Sequence, residues 1–573
     1  MQKIGDRIIY SASDLNKYLE CDYLLALDLQ ALRGKLQRPE QTDYSKLITS
    51  KGIKHEARHL ENERARWNGG VIELPSETNA ETIADFEAAE AETRKAMERG
   101  TKVIYQAAFF DGQWFGRADF LQRIDDRPSN LGDYSYEVVD TKLALHTKPY
   151  FIIQLCFYSA QLARVQGAEP HSMHVVLGNG EQESHRVADY SAYCAHLQES
   201  FLKEMTRLES LEDPSTAIVP MPVKHCEVCA WDAFCVERRE QADHLTLVAR
   251  LRSDQVRKLE SAGIKTLAEL AAATDVQRPP RLREGTFNSL REQAQLQEER
   301  RNTGRHKHVL LPLEDERGFA LLPEPDEGDV FFDMEGDPLY EASGNLYYLF
   351  GAYMPKEDDY RSFWARDLSE EKRAFEQFVD FVAQRRKRYP KLHVYHYAPY
   401  EKTALRTLSV KYETREADVD DFLRGEVLVD LYAVVRQTMR ISQPRYGIKY
   451  VEPLYGFTRE GDVRAGDESI LVFETWRETR NQKLLDDIER YNDADCRSTW
   501  HLHRWLLERR NEAMKQFGVE LRWRPQPEPK TTSEQRQEEL AKLTDLQRQL
   551  LEPLPEIDTR DQFAPLHDER KLR

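Results

Sequence analysis

The chain has 573 residues, 40% hydrophobic and 32% charged, a composition typical of a globular protein with several domains. Its formal net charge of −18 argues against a protein that coats nucleic acid by bulk electrostatics, although a local basic groove is compatible with it. No apolar run reaches the length of about eighteen residues that would suggest a membrane span, and the N-terminus lacks the apolar stretch of a secretory signal. We therefore expect a cytoplasmic protein without a disulfide framework.

The N-terminal third predicts the order helix, three strands, helix, strand. A helix is expected from about 49 to 68, and two apolar aromatic runs, VIYQAAFF and QWFGRADFLQRI, are separated by Asp111-Gly112, a strong hairpin signal. The segment YEVVDTK predicts the third strand. After it, PYFIIQLCFYSAQLARVQG predicts a buried helix that ends at Gly167, and MHVVLGNG predicts a further strand.

Two carboxylates and a lysine lie on this hairpin and the third strand. Asp119 ends its strand, and Asp140 and Lys142 share a face because strand residues two apart point the same way. Carboxylates in this arrangement can hold Mg²⁺ or Mn²⁺ against a phosphodiester, and a lysine can position water or offset charge in the transition state. Further candidates on helices are Gln154 and Tyr158, four residues apart on one face, and His55, a possible metal ligand.

Four of the seven cysteines enclose this set of residues. Cys21 precedes it, and Cys226, Cys229 and Cys235 follow it as a C-x2-C-x5-C run. Such thiolates can hold an iron–sulfur cluster or a zinc ion that ties the two ends of a domain together. Zinc sites usually combine two C-x2-C pairs, whereas here one ligand is isolated, and four thiolates leave no open metal position. We therefore expect a structural clasp.

Residues 241–310 predict a helical and polar linker. The segment SDQVRKLESAGIKTLAELAAA predicts two short helices joined through Ala-Gly-Ile, which resembles a helix-hairpin-helix. The turn of such a motif can present backbone N–H groups to a phosphate. A plain helical linker is the alternative interpretation.

Residues 325–510 predict a second α/β unit with acidic residues of its own. Asp333 and Glu335 share one face of the strand in DVFFDMEGDP, and Tyr491 and Asp495 share one face of a long helix at about 481–510. An acidic pair flanked by phenylalanines is costly to bury unless a cation neutralises it. Residues 511–573 predict a flexible or partly helical extension, and no phosphate-loop motif of a nucleotide motor is present.

In residues 5–240, the ordered set G-x-x-D, D-x-K and Q-x-x-x-Y resembles the PD-(D/E)XK nucleases of the RecB type, which include the AddB nuclease domain and CRISPR-associated RecB-like exonucleases. This resemblance implies a restriction-endonuclease-like α/β domain at 1–240. It also implies a [4Fe–4S] cluster on the four cysteines. The active site implied by the resemblance comprises Asp119, Asp140, Lys142, Gln154, Tyr158 and His55.

In the second unit, the early D-x-E and the late Y-x-x-x-D resemble the DEDDy branch of the DnaQ-like exonucleases, which have the RNase H fold. The resemblance implies that four acidic residues hold two metal ions and that Tyr491 orients the attacking water. Glu401, where an Asp is more usual, would be the third acidic residue. The surrounding segments also resemble the YprB type, in which Asp430 would support the ligands and Lys449 would contact phosphate.

The two units together resemble the RecB-like nuclease family that also occurs fused to helicases. This implies an α/β protein in which a PD-(D/E)XK domain and an RNase H-like domain are joined by a helical linker. We expect a metal-dependent nuclease that cuts single-stranded or frayed DNA, has a second exonuclease site for DNA or RNA ends, and works with a separate helicase. The alternative is a nucleic-acid-binding scaffold for a helicase or CRISPR partner, with one or both sites inactive. The acidic total charge and Glu401 favour this alternative.

Overall fold

The computed structural model describes residues 1–77, 80–216, 218–341, 344–459 and 466–525, together with residue 527 and separate residues between 541 and 549. Within these ranges, no helix is long and apolar enough to cross a bilayer. Most of the predicted C-terminal extension at 511–573 lies outside the described residues.

The N-terminal unit is built on a six-stranded sheet that follows a small hairpin of β1 (Gln2–Ile4) and β2 (Arg7–Ile9). The strands of the sheet, in their spatial order, are β3 (Val71–Glu73), β4 (Val103–Phe110), β5 (Phe115–Ile124), β6 (Ser135–Thr141), β7 (Ser172–Val176) and β8 (Gln182–Arg186). The pairs β4–β5, β5–β6 and β7–β8 are antiparallel, whereas β6 and β7 are parallel. A parallel pair requires a crossover, and a helix supplies it here.

Seven helices pack around this sheet. They are α1 (Ala12–Glu20), α2 (Leu24–Leu32), α3 (Asp43–Trp67), α4 (Ile83–Glu98), α5 (Pro149–Gln166), α6 (Ser191–Glu209) and α7 (Asp232–Gln241). The crossover helix α5 is largely buried and ends at Gly167, whose φ of 69° is the left-handed conformation that glycine adopts most easily. The predicted order helix, three strands, helix, strand is therefore present as α3, β4–β6, α5 and β7.

The middle segment is a packed helical unit of α8 (Ser253–Ser261), α9 (Leu267–Ala272) and α10 (Glu284–Thr303). The two short predicted helices are present, and Gly263 in the turn between them has a φ of 83°. Leu259, Leu270 and Phe287 are fully buried in a core of this unit. The segment therefore has a hydrophobic centre of its own, which the polar composition of the chain here did not indicate.

The C-terminal unit contains a five-stranded sheet and a separate two-stranded sheet. Its strands in chain order are β9 (His308–Leu310), β10 (Val330–Glu341), β11 (Gly344–Met354), β12 (Asp359–Trp364), β13 (Val394–His396), β14 (Leu428–Asp430) and β15 (Met439–Ile441). The large sheet has the order β12-β11-β10-β13-β14, and β9 pairs with β15. Strands β12, β11 and β10 are antiparallel, whereas β10, β13 and β14 are parallel.

Helices cover both faces of this sheet. They are α11 (Leu368–Arg388), α12 (Tyr400–Tyr412), α13 (Glu416–Arg424), α14 (Leu431–Thr438), α15 (Ile448–Tyr455), α16 (Gly466–Thr479) and α17 (Gln482–Phe517). Phe332 of β10 stacks on Phe378 of α11, whereas Phe331 faces His503 of α17. Because strand residues alternate between faces, Asp333 and Glu335 lie on the same side as Phe331, towards α17.

We predict that Gly351→Ala destabilises the C-terminal unit. Gly351 of β11 pairs with Asp333, and a Cβ there would lie 1.6 Å from Oδ1 of Asn492 on α17. Overpacking of this kind costs about 1–3 kcal/mol, which a denaturant titration would measure as a lower free energy of unfolding. The matched control is Gly52→Ala in the middle of α3, where no atom lies within 4 Å of the added Cβ. That change should raise stability by up to about 1 kcal/mol, and equal stabilities for the two variants would contradict the prediction.

Candidate active sites

Three carboxylates meet between β10 and α17. Asp333, Glu335 and Asp495 each offer a ligand atom, and these atoms all lie within 4.8 Å of one another. Among the residues that the structure describes, this is the only such group of three histidine, cysteine or carboxylate side chains. Oxygen ligands gathered so closely are the set that Mg²⁺ and Mn²⁺ prefer.

Helix α17 supplies one of the three carboxylates, Asp495, and a side-chain amide that holds Asp333 of β10 in position. Tyr491 and Asp495 lie one turn apart, which places both on the face that meets β10. Between them, Asn492 donates a hydrogen bond from Nδ2 to Oδ2 of Asp333 at 2.8 Å and accepts one from the Tyr360 hydroxyl at 2.9 Å. The buried amide therefore orients Asp333 towards the other two carboxylates.

Burial and mutual repulsion dominate the electrostatics of this group. The pKa of Asp333 lies well above its ordinary value because the side chain is buried and because Asp495, Glu335 and Glu401 repel its charge. Burial and the charge of Asp495 raise the pKa of Glu335 to about 8. Asp495 is paired with the cation Arg459, whereas Asp333 and Glu335 form no ion pair with a cationic side chain of the described residues. Two unpaired carboxylates at this distance favour a bound cation.

Two cationic side chains lie at the edge of the group. Lys449 donates from Nζ to the Tyr491 hydroxyl at 2.9 Å. Arg459 donates from Nη2 to Oδ1 of Asp495 at 2.6 Å and is also paired with Glu452. Burial and the nearby carboxylates raise the pKa of Tyr491, so its hydroxyl stays protonated. The sequence analysis could not identify Arg459, because it lies in a loop after α15 and no local sequence pattern predicts the path of that loop.

Glu401 lies beside the three carboxylates rather than within their group. It is buried in the first turn of α12, with Oε2 3.3 Å from Nδ1 of His396. The preceding turn has Ala398 at a φ of 89°, held by a hydrogen bond from its N–H to Asp430. Asp430 also caps α14 through the N–H groups of Tyr432 and Ala433. Asp430 thus supports the turn that positions Glu401.

A second acidic group lies on β5 and β6. Asp119 accepts hydrogen bonds at Oδ2 from the backbone N–H and hydroxyl of Thr141, at 3.1 and 3.2 Å. Lys142 forms an ion pair with Oδ2 of Asp140 at 2.5 Å. Burial and repulsion from Asp119 raise the pKa of Asp140 well above its ordinary value, although Lys142 opposes this shift. The strand arrangement brings these three predicted residues together.

The crossover helix α5 brings Gln154 and Tyr158 to the same group. Gln154 donates from Nε2 to Oδ1 of Asp140 at 3.4 Å. Tyr158 is buried behind the carboxylates, and burial together with the charges of Asp119 and Asp140 raises its pKa. Tyr158 packs closely against Gly116, where a Cβ atom would lie 2.8 Å from the phenol oxygen.

His55 and its neighbour Glu56 face different surroundings. His55 is buried with Nε2 3.4 Å from the carbonyl oxygen of Val176. Glu56 accepts a hydrogen bond from Nε2 of Gln106 at 2.6 Å, and burial and the charge of Asp119 raise its pKa. Glu56 is therefore a carboxylate of this site that the sequence analysis missed. Consecutive helical residues point about 100° apart, and helix periodicity alone could not show which of the two faces the strands.

The four predicted cysteines line one pocket. Cys21 lies at the end of α1, and Cys226, Cys229 and Cys235 lie around the start of α7. Burial and the neighbouring thiols raise the pKa of Cys229 to about 11 and that of Cys235 to about 12. The thiols are free. The fold therefore closes the N-terminal unit at this point, where residues some two hundred positions apart meet.

Comparison with known proteins identifies one part of the chain. Residues 330–507 match the family model of the RNase H superfamily. This range begins with β10 and includes Asp333, Glu335 and Asp495. No curated protein matches the chain.

We predict that Glu335→Gln stabilises the metal-free protein, because burial and Asp495 raise the pKa of Glu335 to about 8. Folding at neutral pH must therefore protonate this carboxyl or bury its charge beside two other carboxylates, and the glutamine avoids both costs. The expected gain in the presence of EDTA is about 1–3 kcal/mol in the free energy of unfolding. Mn²⁺ should raise the stability of the wild type, by about 2.7 kcal/mol at a concentration one hundred times its Kd, and should have a smaller effect on the variant. The control is Glu508→Gln, an exposed position on α17. An identical response of the two variants to Mn²⁺ would refute the prediction.

Proposed function

We propose that this protein is a divalent-metal-dependent nuclease with two hydrolytic sites. The single observation that carries the proposal is the group of three carboxylates, the partly buried Asp333 and the buried Glu335 and Asp495, on a domain of the RNase H superfamily. A domain of this superfamily implies nucleic-acid binding, and its nucleases use divalent metals. The three carboxylates fit such an ion by their chemistry, because all offer hard oxygen ligands and only Asp495 is paired with a cation among the described residues.

At this site the metal would activate water and offset the charge of the phosphodiester. Asp333, Glu335 and Asp495 would hold it, and Glu401 would supply a further carboxylate from its neighbouring position. Tyr491 accepts a hydrogen bond from Lys449, so its own O–H proton is available to orient a water molecule. The predicted tyrosine of a DEDDy-type exonuclease therefore has a partner that fixes the direction of its hydroxyl. We propose that the site trims DNA or RNA ends.

For the N-terminal unit we propose a PD-(D/E)XK nuclease site of the RecB type. Its support is the convergence of Asp119, Asp140 and Lys142 on adjacent strands, with Gln154 on the crossover helix. Asp119 and Asp140 would hold the metal, and Glu56 adds a third carboxylate from α3. Lys142, paired with Asp140, is placed to offset charge on the phosphate. We propose single-stranded or frayed DNA as its substrate, opened by a separate helicase.

A cleft of about 230 Å³ between the two units supports a shared path for nucleic acid. The side of α3 that lines it carries Lys51, Lys54 and Arg58. Lys51 joins the units by ion pairs with Asp337 at 2.5 Å and Glu474 at 2.9 Å. No carboxylate of the described residues is paired with Lys54 or Arg58. These two exposed cations are suited to phosphate contacts, despite the acidic total charge.

The alternative function is a nucleic-acid-binding scaffold without catalysis. Two observations favour it. Arg459 occupies one oxygen of Asp495, and Glu401 lies outside the compact group of carboxylates. An arginine that neutralises a metal ligand is compatible with binding to a phosphate backbone but reduces the attraction for a metal.

We predict that Asp333→Asn and Asp140→Asn each abolish one of two separable nuclease activities. Each removes a metal ligand, and we expect a loss of at least about hundredfold in the affected activity. Labelled single-stranded DNA and RNA would be incubated with Mn²⁺ and each single variant, the double variant and the control Glu508→Gln. The double variant should bind both strands without cutting them. If the wild type is equally inert while binding persists, the scaffold function is correct and the nuclease proposal fails.

We further propose that Cys21, Cys226, Cys229 and Cys235 hold a structural [4Fe–4S] cluster, with zinc as the alternative. The donor set fits because four free thiols line a single pocket. A tetrahedral zinc ion with Zn–S distances near 2.3 Å would bring the sulfurs to about 3.8 Å from one another. No three of these thiols form a group within 4.8 Å, which favours the larger cluster.

We predict that the protein purified without oxygen is brown and contains iron and acid-labile sulfide, at about four irons per chain. Cys226→Ser should lose the iron and lower the midpoint of thermal unfolding, since the cluster joins the ends of the N-terminal unit. Cys194→Ala is the control, because this buried thiol does not line the pocket. Zinc in place of iron, or an unchanged iron content in Cys226→Ser, would contradict the cluster.

A further inference from the structure

A pocket of about 300 Å³ lies between the helical unit and β15, away from both carboxylate sites. It is formed by the start of α8, the first turns of α10 and one residue of β15. Its polar lining residues are Arg250, Arg252, Gln255, Thr286, Ser289, Gln293 and Arg440.

The charged residues that line the pocket are all arginines. Three of its lining residues are arginines and none is acidic, although the chain as a whole carries a net charge of −18. An arginine has five N–H donors in a planar fork that matches the oxygens of a phosphate or carboxylate. A concave surface with three guanidinium groups and two hydroxyl groups therefore offers hydrogen-bond donors to an anion from several directions.

Neighbouring contacts hold each guanidinium in position without using all its donors. Arg440 donates to the Ser289 hydroxyl at 2.9 Å and is paired with Glu292 at 2.6 Å. Arg250 donates from Nη1 to a backbone carbonyl oxygen at 3.3 Å, and Arg252 donates from Nε to Asp254 at 3.1 Å. The carboxylates of Glu292 and Asp254 do not line the pocket. Arg440, whose side chain is only 18% exposed, is thus oriented in advance, which lowers the entropic cost of binding a ligand.

The backbone around the pocket also favours the binding of an anion. Helices α8 and α10 both begin at its rim, and the first-turn residues Gly285 and Thr286 line it. Free N–H groups and the positive end of the helix dipole at such positions favour anions. Arg250 has a φ of 67°, a left-handed conformation that is unfavourable for a residue with a side chain.

We infer that this pocket binds a phosphate group. The inference does not depend on the proposed nuclease activity, since it uses none of the carboxylates. Two sources share this ligand chemistry, namely the terminal or backbone phosphate of a nucleic-acid strand and the phosphate of a free nucleotide. The adjoining predicted helix-hairpin-helix motif would hold phosphate at its turn, whereas this pocket lies at the beginning of its first helix.

The test measures binding to the full chain in EDTA, so that no strand is cut. The probes are inorganic phosphate, dAMP, and one single-stranded DNA oligonucleotide with and without a 5′-phosphate, measured by calorimetry or fluorescence anisotropy. The variants are Arg250→Gly, Arg252→Gln and their combination. Glycine suits the left-handed backbone at position 250, so this variant removes the guanidinium without threatening the fold. The control is Arg257→Gln, an exposed position of α8 that does not line the pocket.

We expect the wild type to bind at least one probe and the double variant to bind it at least about tenfold more weakly, with Arg257→Gln unchanged. Preference for the 5′-phosphorylated strand over the unphosphorylated one would identify a strand end as the ligand, and equal binding of the two strands would identify the backbone. Binding of dAMP alone would identify a free nucleotide. The inference is overturned if the wild type binds no probe, or if the double variant and Arg257→Gln bind equally well.

Discussion

The packing of the C-terminal unit must hold three mutually repelling carboxylates of β10 and α17 close together. Ligand atoms of Asp333, Glu335 and Asp495 lie within 4.8 Å of one another in a place where Glu335 and Asp495 are buried, and an unneutralised buried charge costs several kcal/mol. The fold nevertheless fixes them there. Asn492 fills the space left by Gly351 and bonds to Asp333. The metal ion that we propose for this site would offset the cost of bringing the three carboxylates together.

The N-terminal site has a similar arrangement of charge. In each site one carboxylate is paired directly with a cation, Asp140 with Lys142 and Asp495 with Arg459. Helix α3 links the two arrangements. Glu56 faces the first site, and Lys51, more than one turn away, bonds to Asp337 two residues beyond Glu335. A change in the angle of this helix would therefore act on both sites together.

Local patterns predicted much of the fold and several of the side chains that meet at the two candidate sites. The period of two placed Asp333 with Glu335 and Asp140 with Lys142, and the period of four placed Tyr491 with Asp495, because these relations depend only on a single strand or helix. Relations between distant segments were not predictable. Nothing local shows that Arg459 reaches Asp495, or that Glu56 rather than His55 approaches Asp119. The core of the helical unit was missed for another reason: its buried leucines are spread among many polar residues.

The distribution of charge explains how a chain with a negative net charge could bind a polyanionic ligand. At physiological salt the influence of an exposed charge fades over about 8 Å, so a phosphate responds to the groups beside it more than to the total charge of −18. Exposed cations are gathered on α3 at the cleft, and three arginines line the pocket beside α8. Acidic surface elsewhere repels nucleic acid that is not seated in these places. The net negative charge thus favours binding in a defined register over indiscriminate binding, which suits sites whose chemistry requires one phosphodiester at a fixed position.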